Sequence, residues 1–126
     1  MPPTIVIVDD DEQILMLVDI LLRRQGYQVV KCPNAYAALE LLETTTPDLL
    51  ILDYMMPGMN GLELCQQVRV HPDASKMPIL MLSAVDTDEF AADSREAGAN
   101  GNIPKSEMHR RLVKEVMEYV PVASKN

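Results

Sequence analysis

Residues 5–11 read Ile5-Val6-Ile7-Val8-Asp9-Asp10-Asp11, so an apolar run typical of a buried strand ends in three consecutive acids. Three later apolar runs also lead into a polar or charged side chain. These are Leu49–Leu52 before Asp53, Ile79–Leu82 before Ser83, and the weaker Asn102-Ile103 before Lys105. The carboxyl ends of parallel strands lie on one edge of a sheet, where ligands bind. The sequence therefore predicts that these carboxylates, the hydroxyl and the ammonium group converge.

The composition predicts one soluble globular domain that covers residues 1–126. Hydrophobic residues make up 48% of the chain and charged residues 24%, as in ordinary domains of this length. The formal net charge of -8 argues against nucleic-acid binding, which depends on clustered Lys and Arg. The pattern predicts no signal peptide and no membrane span, so we expect a cytoplasmic protein. Cys32 and Cys65 are expected to be buried apolar side chains.

Short apolar runs alternate with helix-like segments, which indicates five βα units around a parallel sheet. After the first strand, further strands are predicted at 28–32, 49–52, 77–83 and 101–104, with the last at a sheet edge. Helices are predicted from Asp11 or Glu12 to Gly26, from Asn34 to Thr44, from about Leu62 to Val70, from Thr87 to Gly98, and from Ser106 onward. The core stripe of the first helix is predicted to be Ile14, Val18, Leu21 and Leu22.

The converging acids predict a site for a hard divalent cation. Several carboxylates this close repel one another unless a cation joins them or their pKa values rise. Mg²⁺ binds through one or two carboxylates and keeps several waters, so Asp10 and Asp53 are the expected direct ligands and Asp9 acts through water. A carboxylate can also attack phosphorus to form an aspartyl phosphate, and Asp53 is the best-placed nucleophile. Ser83 and Lys105 would then bind the phosphoryl oxygens.

In order along the chain, these features resemble the response regulator receiver family. The matching pieces are Asp9-Asp10, Asp53-x-x-Met56-Pro57-Gly58-x-x-Gly61, Ser83-Ala84, and Gly98-Ala99 followed by Lys105. The resemblance covers nearly the whole chain. It implies an α/β fold with a doubly wound, flavodoxin-like five-stranded sheet of order 2-1-3-4-5. It also implies phosphorylation of Asp53 with Mg²⁺ or Mn²⁺ by a histidine kinase or a histidine phosphotransfer protein.

The same resemblance implies a role for each matching residue. The metal would be held by Asp10, Asp53 and the backbone carbonyl of Met55, with Asp9 acting through water. The phosphoryl group would be bound by Ser83, Ala84 and Lys105. A protein of this kind is a phosphoacceptor that assists its own phosphorylation and dephosphorylation, and it signals to a downstream protein by a conformational change. It is not an enzyme that turns over a substrate.

Two positions depart from the family pattern. Receivers usually have Tyr or Phe three residues before the Lys, but this chain has Asn102, which is too small to fill the volume of a ring. Its amide also brings polar groups that need partners. Ser106 stands where the family usually has Pro, often after a cis bond. A cis bond before a non-proline residue costs about 2.5–4 kcal/mol, so we expect a trans bond or a strained one here.

Other interpretations remain open at the level of sequence. The acidic Asp9-x-Asp11 motif is similar to that of haloacid-dehalogenase-like phosphatases, although Asp11 and Glu12 are better explained as acids that begin a helix. A second alternative is a pseudo-receiver that binds partners without being phosphorylated. On the first helix, Met16 and Ile20 are predicted to point away from the core. The family resemblance makes them a candidate docking patch for the phosphodonor.

Overall fold

The computed structural model describes residues 2–122 and shows strands and helices in strict alternation. The strands are β1 (Thr4–Val8), β2 (Gln28–Cys32), β3 (Leu49–Asp53), β4 (Ile79–Ser83) and β5 (Gly101–Pro104). The helices are α1 (Glu12–Arg23), α2 (Ala35–Leu42), α3 (Gly61–Arg69), α4 (Asp88–Ala97) and α5 (Met108–Tyr119). The strands form a parallel sheet in the order β2-β1-β3-β4-β5. The predicted fold class, strand order and edge position of β5 are thereby confirmed.

Both faces of the sheet are covered by apolar side chains. On one face, residues such as Leu50 and Met81 pack with α3 and α4 residues such as Leu64 and Phe90. On the other face, Ile5 and the alternate residues of β3 pack against α1 and α5. Every residue of β3 and β4 is buried, which explains why these strands have continuous apolar runs. None of the helices within residues 2–122 has the length and apolar character needed to cross a bilayer.

The strand register brings the polar residues at the strand ends to one edge. Val8 of β1 lies opposite Leu52 of β3, so Asp9 and Asp53 follow at the same level. Ser83 at the end of β4 lies opposite Pro104 of β5, which directly precedes Lys105. The convergence predicted from the sequence therefore follows from the pairing of the strands.

The first helix differs in part from its prediction. Val18 and Leu22 are fully buried as expected, but the third buried position is Leu15, while Ile14 and Leu21 are only partly buried. Residues 15, 18 and 22 follow the three-and-four spacing of a helix face, and this row faces the sheet. The helix ends at Arg23, and Gly26 lies in the turn beyond it with a φ of 104°.

The start of the last helix was predicted wrongly. Ser106 is exposed inside a short 3₁₀ turn, Lys105–Glu107, and α5 begins at Met108 without a side-chain cap. Met108 is buried and begins the apolar stripe of α5, so packing rather than a cap residue fixes where this helix starts. The structure has no cis peptide bond within residues 2–122, and the bond before Ser106 is trans.

Candidate functional site

Three carboxylates come together at the carboxyl edge of the sheet. Asp9 follows β1, and Asp53 is the last residue of β3, in the centre of the sheet. Asp9 and Asp53 are almost fully buried, whereas Asp10 is exposed. One carboxylate oxygen from each of Asp9, Asp10 and Asp53 lies within 4.8 Å of the others. Two buried acids beside an exposed one make a concentrated negative charge that is open to solvent on one side.

Lys105 is the cation that faces the two buried acids. Its Nζ lies 3.1 Å from Asp53 Oδ1 and 3.2 Å from Asp9 Oδ2. Burial alone would lower the pKa of Lys105, but the hydrogen bond that Lys105 donates to Asp53 and the charges of both acids outweigh this effect and raise that pKa. Lys105 therefore stays charged, and it offsets only one of the two buried negative charges.

The surroundings of Asp53 disfavour its charged form. Burial, followed by the negative charge of Asp9, raises the pKa of Asp53 to about 6, against the opposing effect of Lys105. The ionised form of such a carboxyl group is stabilised when a further cation approaches it. It also remains mostly ionised at neutral pH, as a nucleophile must be.

The two oxygens of Asp9 have different surroundings. Oδ1 accepts a hydrogen bond from the backbone N–H of Asp11 at 2.9 Å, which orients the carboxylate. Oδ2 is buried and, apart from its ion pair with Lys105, has no hydrogen-bond partner within the described residues. An oxygen of this kind can accept from a metal-bound water. The donor set of carboxylates therefore fits a hard cation such as Mg²⁺.

The acid at position 11 has a structural role. Asp11 is the N-cap of α1, and its side chain accepts from the backbone N–H of Gln13 at 2.9 Å. This hydrogen bond accounts for Asp11 as a capping residue, as expected from its position before the helix.

Ser83 lies beside the acids in a defined orientation. It is buried at the end of β4, and its Oγ accepts a hydrogen bond from the backbone N–H of Val85 at 2.9 Å. Ala84, the next residue, is exposed. Met55 lies in the loop after β3 with 64% of its surface exposed. The structure thus brings Ser83 to the same edge as the acids, while the roles predicted for Ala84 and for the Met55 carbonyl stay predictions.

The loop that carries Met55 is closed by a glycine. The backbone N–H of Gly61 donates to the carbonyl oxygen of Tyr54 at 2.9 Å. A Cβ added at Gly61 would overlap the backbone carbonyl oxygen of Asp53. This close approach explains why the position is glycine, although the sequence indicated only a turn. The loop is held directly against the backbone of the central acid.

Asn102 has an unusual environment. The residue is half-buried on β5, and its side-chain Oδ1 is buried without a hydrogen-bond partner within residues 2–122. Its backbone carbonyl, by contrast, accepts from Arg111 at 3.2 Å. The sequence indicated that the polar groups of this amide would need hydrogen-bond partners, and the structure leaves its oxygen without one.

The candidate docking residues on α1 are on the surface. Met16 is 62% exposed and Ile20 is 43% exposed, so both point away from the core as predicted. Their use as a docking patch remains a prediction. Cys32 and Cys65 are buried free thiols, as expected.

One feature near the site had no signal in the sequence. The rings of Tyr54, which follows Asp53, and Phe90, in the first turn of α4, lie 4.7 Å apart between centroids. The two residues are 36 positions apart in the chain, and Tyr54 occupies only an unspecified position of the Asp53-x-x-Met56 motif. Only the tertiary structure, which brings the start of α4 next to the loop after β3, reveals the pair.

A sequence model described as "Response regulator receiver domain" matches residues 5–117. The chain is 39% identical over 101 residues to the alkaline phosphatase synthesis transcriptional regulatory protein PhoP of Bacillus subtilis, covering 80% of this chain and 41% of that protein. The chain spans less than half the length of the curated relatives it matches.

Solved structures are similar over nearly their whole length. A putative response regulator from Chloroflexus aurantiacus is 36% identical, with a TM-score of 0.89, and the match covers 94% of this chain and 98% of that one. The response regulator TrrA of Thermotoga maritima, solved in complex with Mg²⁺ and BeF, is 30% identical, with a TM-score of 0.83 and coverage of 95% and 100%.

Proposed function

The chain belongs to the response regulator receiver domain family, and we propose that it accepts a phosphoryl group on Asp53. The observation that carries the proposal is the grouping of Asp9, Asp10 and Asp53 within 4.8 Å, with Lys105 bridging the two buried acids. Receivers of this family bind Mg²⁺ at such an acidic cluster, and the TrrA structure contains that ion.

Each residue has a distinct part in the proposed reaction. An oxygen of Asp53 forms the new bond to phosphorus while the bond from phosphorus to the donor's leaving group breaks. Lys105 pairs with a phosphoryl oxygen, and the Ser83 hydroxyl donates to another. Asp10, Asp53 and the Met55 carbonyl would hold Mg²⁺, with Asp9 acting through water. When bound, the ion neutralises charge on the group being transferred.

The proposed donor is a histidine kinase or a histidine phosphotransfer protein. The exposed apolar side chains of Met16 and Ile20 on α1 support a docking surface next to the site. The net charge of -8 supports a protein partner over a nucleic acid. We place this exchange in the cytoplasm, where the phosphorylated chain would act on a downstream protein by changing its shape.

Intact mass spectrometry tests the proposal directly. We expect the protein incubated with Mg²⁺ and acetyl phosphate to gain one phosphoryl group, and Asp53→Asn to gain none. Asp48→Asn is a matched control, because Asp48 is an exposed acid just before the other end of β3. This variant should be phosphorylated like the wild type, and omission of Mg²⁺ should abolish the gain.

The unpartnered Oδ1 of Asn102 favours one competing function, a pseudo-receiver that signals without phosphorylation. The same experiment separates the two. If the wild type binds Mg²⁺ but gains no phosphoryl group, the phosphoacceptor proposal is wrong, and the chain is better described as a constitutive binding module.

A further inference from the structure

An aromatic pair joins the phosphorylation loop to α4. Tyr54 directly follows Asp53, and Phe90 lies in the first turn of α4. Their ring centroids are 4.7 Å apart, with the planes tilted by 47°, a separation and tilt typical of attractive ring pairs. Phe90 is 5% exposed and packs in the core layer that includes Met81. A shift of either ring would therefore alter its contact with the other.

A second connection leads from the site to the same ring. Ser83 Oγ accepts from the backbone N–H of Val85 at 2.9 Å, and Thr87 Oγ1 accepts from the backbone N–H of Phe90 at 3.1 Å. These two short-range bonds tie Ser83 to Val85 and Thr87 to Phe90, and one residue separates the two tied segments. A displacement of the Ser83 hydroxyl would therefore be passed to Phe90.

The fifth strand offers no ring at this interface. Asn102 lies opposite Met81 in the register, so its side chain is on the same face of the sheet as Phe90. Its Oδ1 is buried there without a donor. A buried acceptor without a donor costs stability, and the short amide of Asn102 cannot make the ring contacts with α4 that an aromatic side chain would make.

We propose that Tyr54 and Phe90 form the link through which a phosphoryl group on Asp53 repositions α4, in place of an aromatic residue on β5. This inference rests on the proposed function. The phosphoryl group adds negative charge and acceptor oxygens next to Ser83. The Ser83 hydroxyl donates to one of these oxygens and turns away from the Val85 N–H. The segment before α4 then shifts, and Phe90 moves against Tyr54.

The composition of the chain allows a selective measurement. Phe90 is the only phenylalanine among the 126 residues, so protein labelled with 4-fluorophenylalanine gives one fluorine NMR resonance, from the ring in question. Hydrogen exchange of residues 88–97 reports on α4 in every variant. Intact mass records in parallel whether each sample is phosphorylated by acetyl phosphate and Mg²⁺.

We expect the Phe90 resonance and the exchange of α4 to change on phosphorylation of the wild type and of Asn102→Ala. In Tyr54→Leu and Phe90→Leu, the phosphoryl group should still be gained, while the change in α4 exchange falls at least about threefold. Tyr54→Phe keeps the ring pair and should respond like the wild type, which separates loss of the link from a folding defect.

Three outcomes would overturn the inference. The first is a full α4 response in both leucine variants, and the second is loss of that response in Asn102→Ala. The third is a wild type that gains a phosphoryl group while the Phe90 resonance stays unchanged. If the wild type gains no phosphoryl group, the proposed function fails first, and this inference falls with it.

Discussion

Asp53 is ionised in surroundings that favour its neutral form, and this conflict is the main electrostatic feature at the scale of single residues. It is almost fully buried, and Asp9 lies beside it, while Lys105 compensates for only one negative charge. Burying a charge without full compensation is costly. The site is therefore built at the expense of stability, as is common where groups must react.

The pH dependence of Asp53→Asn in metal-free buffer tests this account. The folded-state pKa of Asp53 is about 6, above the usual aspartate value of 3.8, so between these two pH values the folded protein binds more protons than the unfolded chain. The stability contributed by Asp53 is thus greatest below about pH 3.8 and is lost as the pH rises through about 6. Removal of the charge should stabilise the protein by about 1–3 kcal/mol near neutral pH.

Urea unfolding of both proteins at several pH values measures this difference. The advantage of Asp53→Asn should shrink steadily as the pH is lowered from about 7.5 towards about 4.5, because the wild-type carboxyl becomes protonated in the folded state. Comparison of two proteins that differ at one position cancels the titration of the acids that do not interact with Asp53. A variant that is less stable at neutral pH, or a difference that does not depend on pH, would contradict the account.

At the scale of the elements, Arg69 joins four segments at the edge of the sheet opposite the site. Its guanidinium donates to the carbonyl oxygens of Gly98 at 2.9 Å and Met77 at 2.6 Å, and to Asn100 Oδ1 at 2.9 Å. It also donates to Ala74 O at 2.9 Å. The end of α3, the loop before β4, the end of α4 and the loop before β5 are thus held by one cation. Hydrogen bonds from a charged donor are among the stronger ones in proteins.

We expect Arg69→Ala to lower the free energy of unfolding by about 2–4 kcal/mol, because several partly buried carbonyl groups lose their donor. Arg95→Ala is the matched control, since Arg95 is an exposed residue of α4 and should change stability by less than about 0.5 kcal/mol. Thermal and urea unfolding measure both variants. Equal effects of the two substitutions would show that the Arg69 contacts add little.

The elements that could be predicted are those with a local signal. Asn34 and Thr87 cap α2 and α4, and Gly98 ends α4 with a φ of 112°, all as expected. Ser106 misled the prediction, because a capping residue type does not act as a cap when the buried Met108 decides where the helix begins. At the site, the polar residues after the apolar runs indicated which side chains converge.

The unpredicted features depend on contacts between distant parts of the chain. The Arg69 contacts, the Tyr54–Phe90 pair and the approach of Gly61 to the Asp53 carbonyl all arise from how helices pack on the sheet. A single sequence contains no periodicity or spacing that encodes such contacts, because each residue involved has another ordinary explanation. Arg69, for example, reads as a basic residue at the end of a helix.

At the scale of the whole molecule, the two apolar layers share one sheet, and the proposed metal site joins the ends of the central strand β3 and its neighbour β1. Asp10 follows β1, and Asp53 ends β3, so the ligands come together only when the sheet has formed. A ligand that binds the folded state alone stabilises the entire domain by mass action. We therefore expect Mg²⁺ to raise the temperature of a single cooperative unfolding transition.

At about ten times its dissociation constant, Mg²⁺ should add about 1.4 kcal/mol, or about 5 °C in Tm for a domain of this size. Asp10→Asn should lose most of this shift, because it removes the exposed carboxylate of the site. Asp11→Asn should keep this shift, since an asparagine side chain can still accept the hydrogen bond from the Gln13 N–H that Asp11 accepts.

Calorimetry with KCl at matched ionic strength separates specific binding of Mg²⁺ from screening of the net charge of -8. Equal shifts in both variants would mean that Mg²⁺ acts on the acidic surface generally, because a site centred on Asp10 must distinguish two neighbouring acids of the same charge.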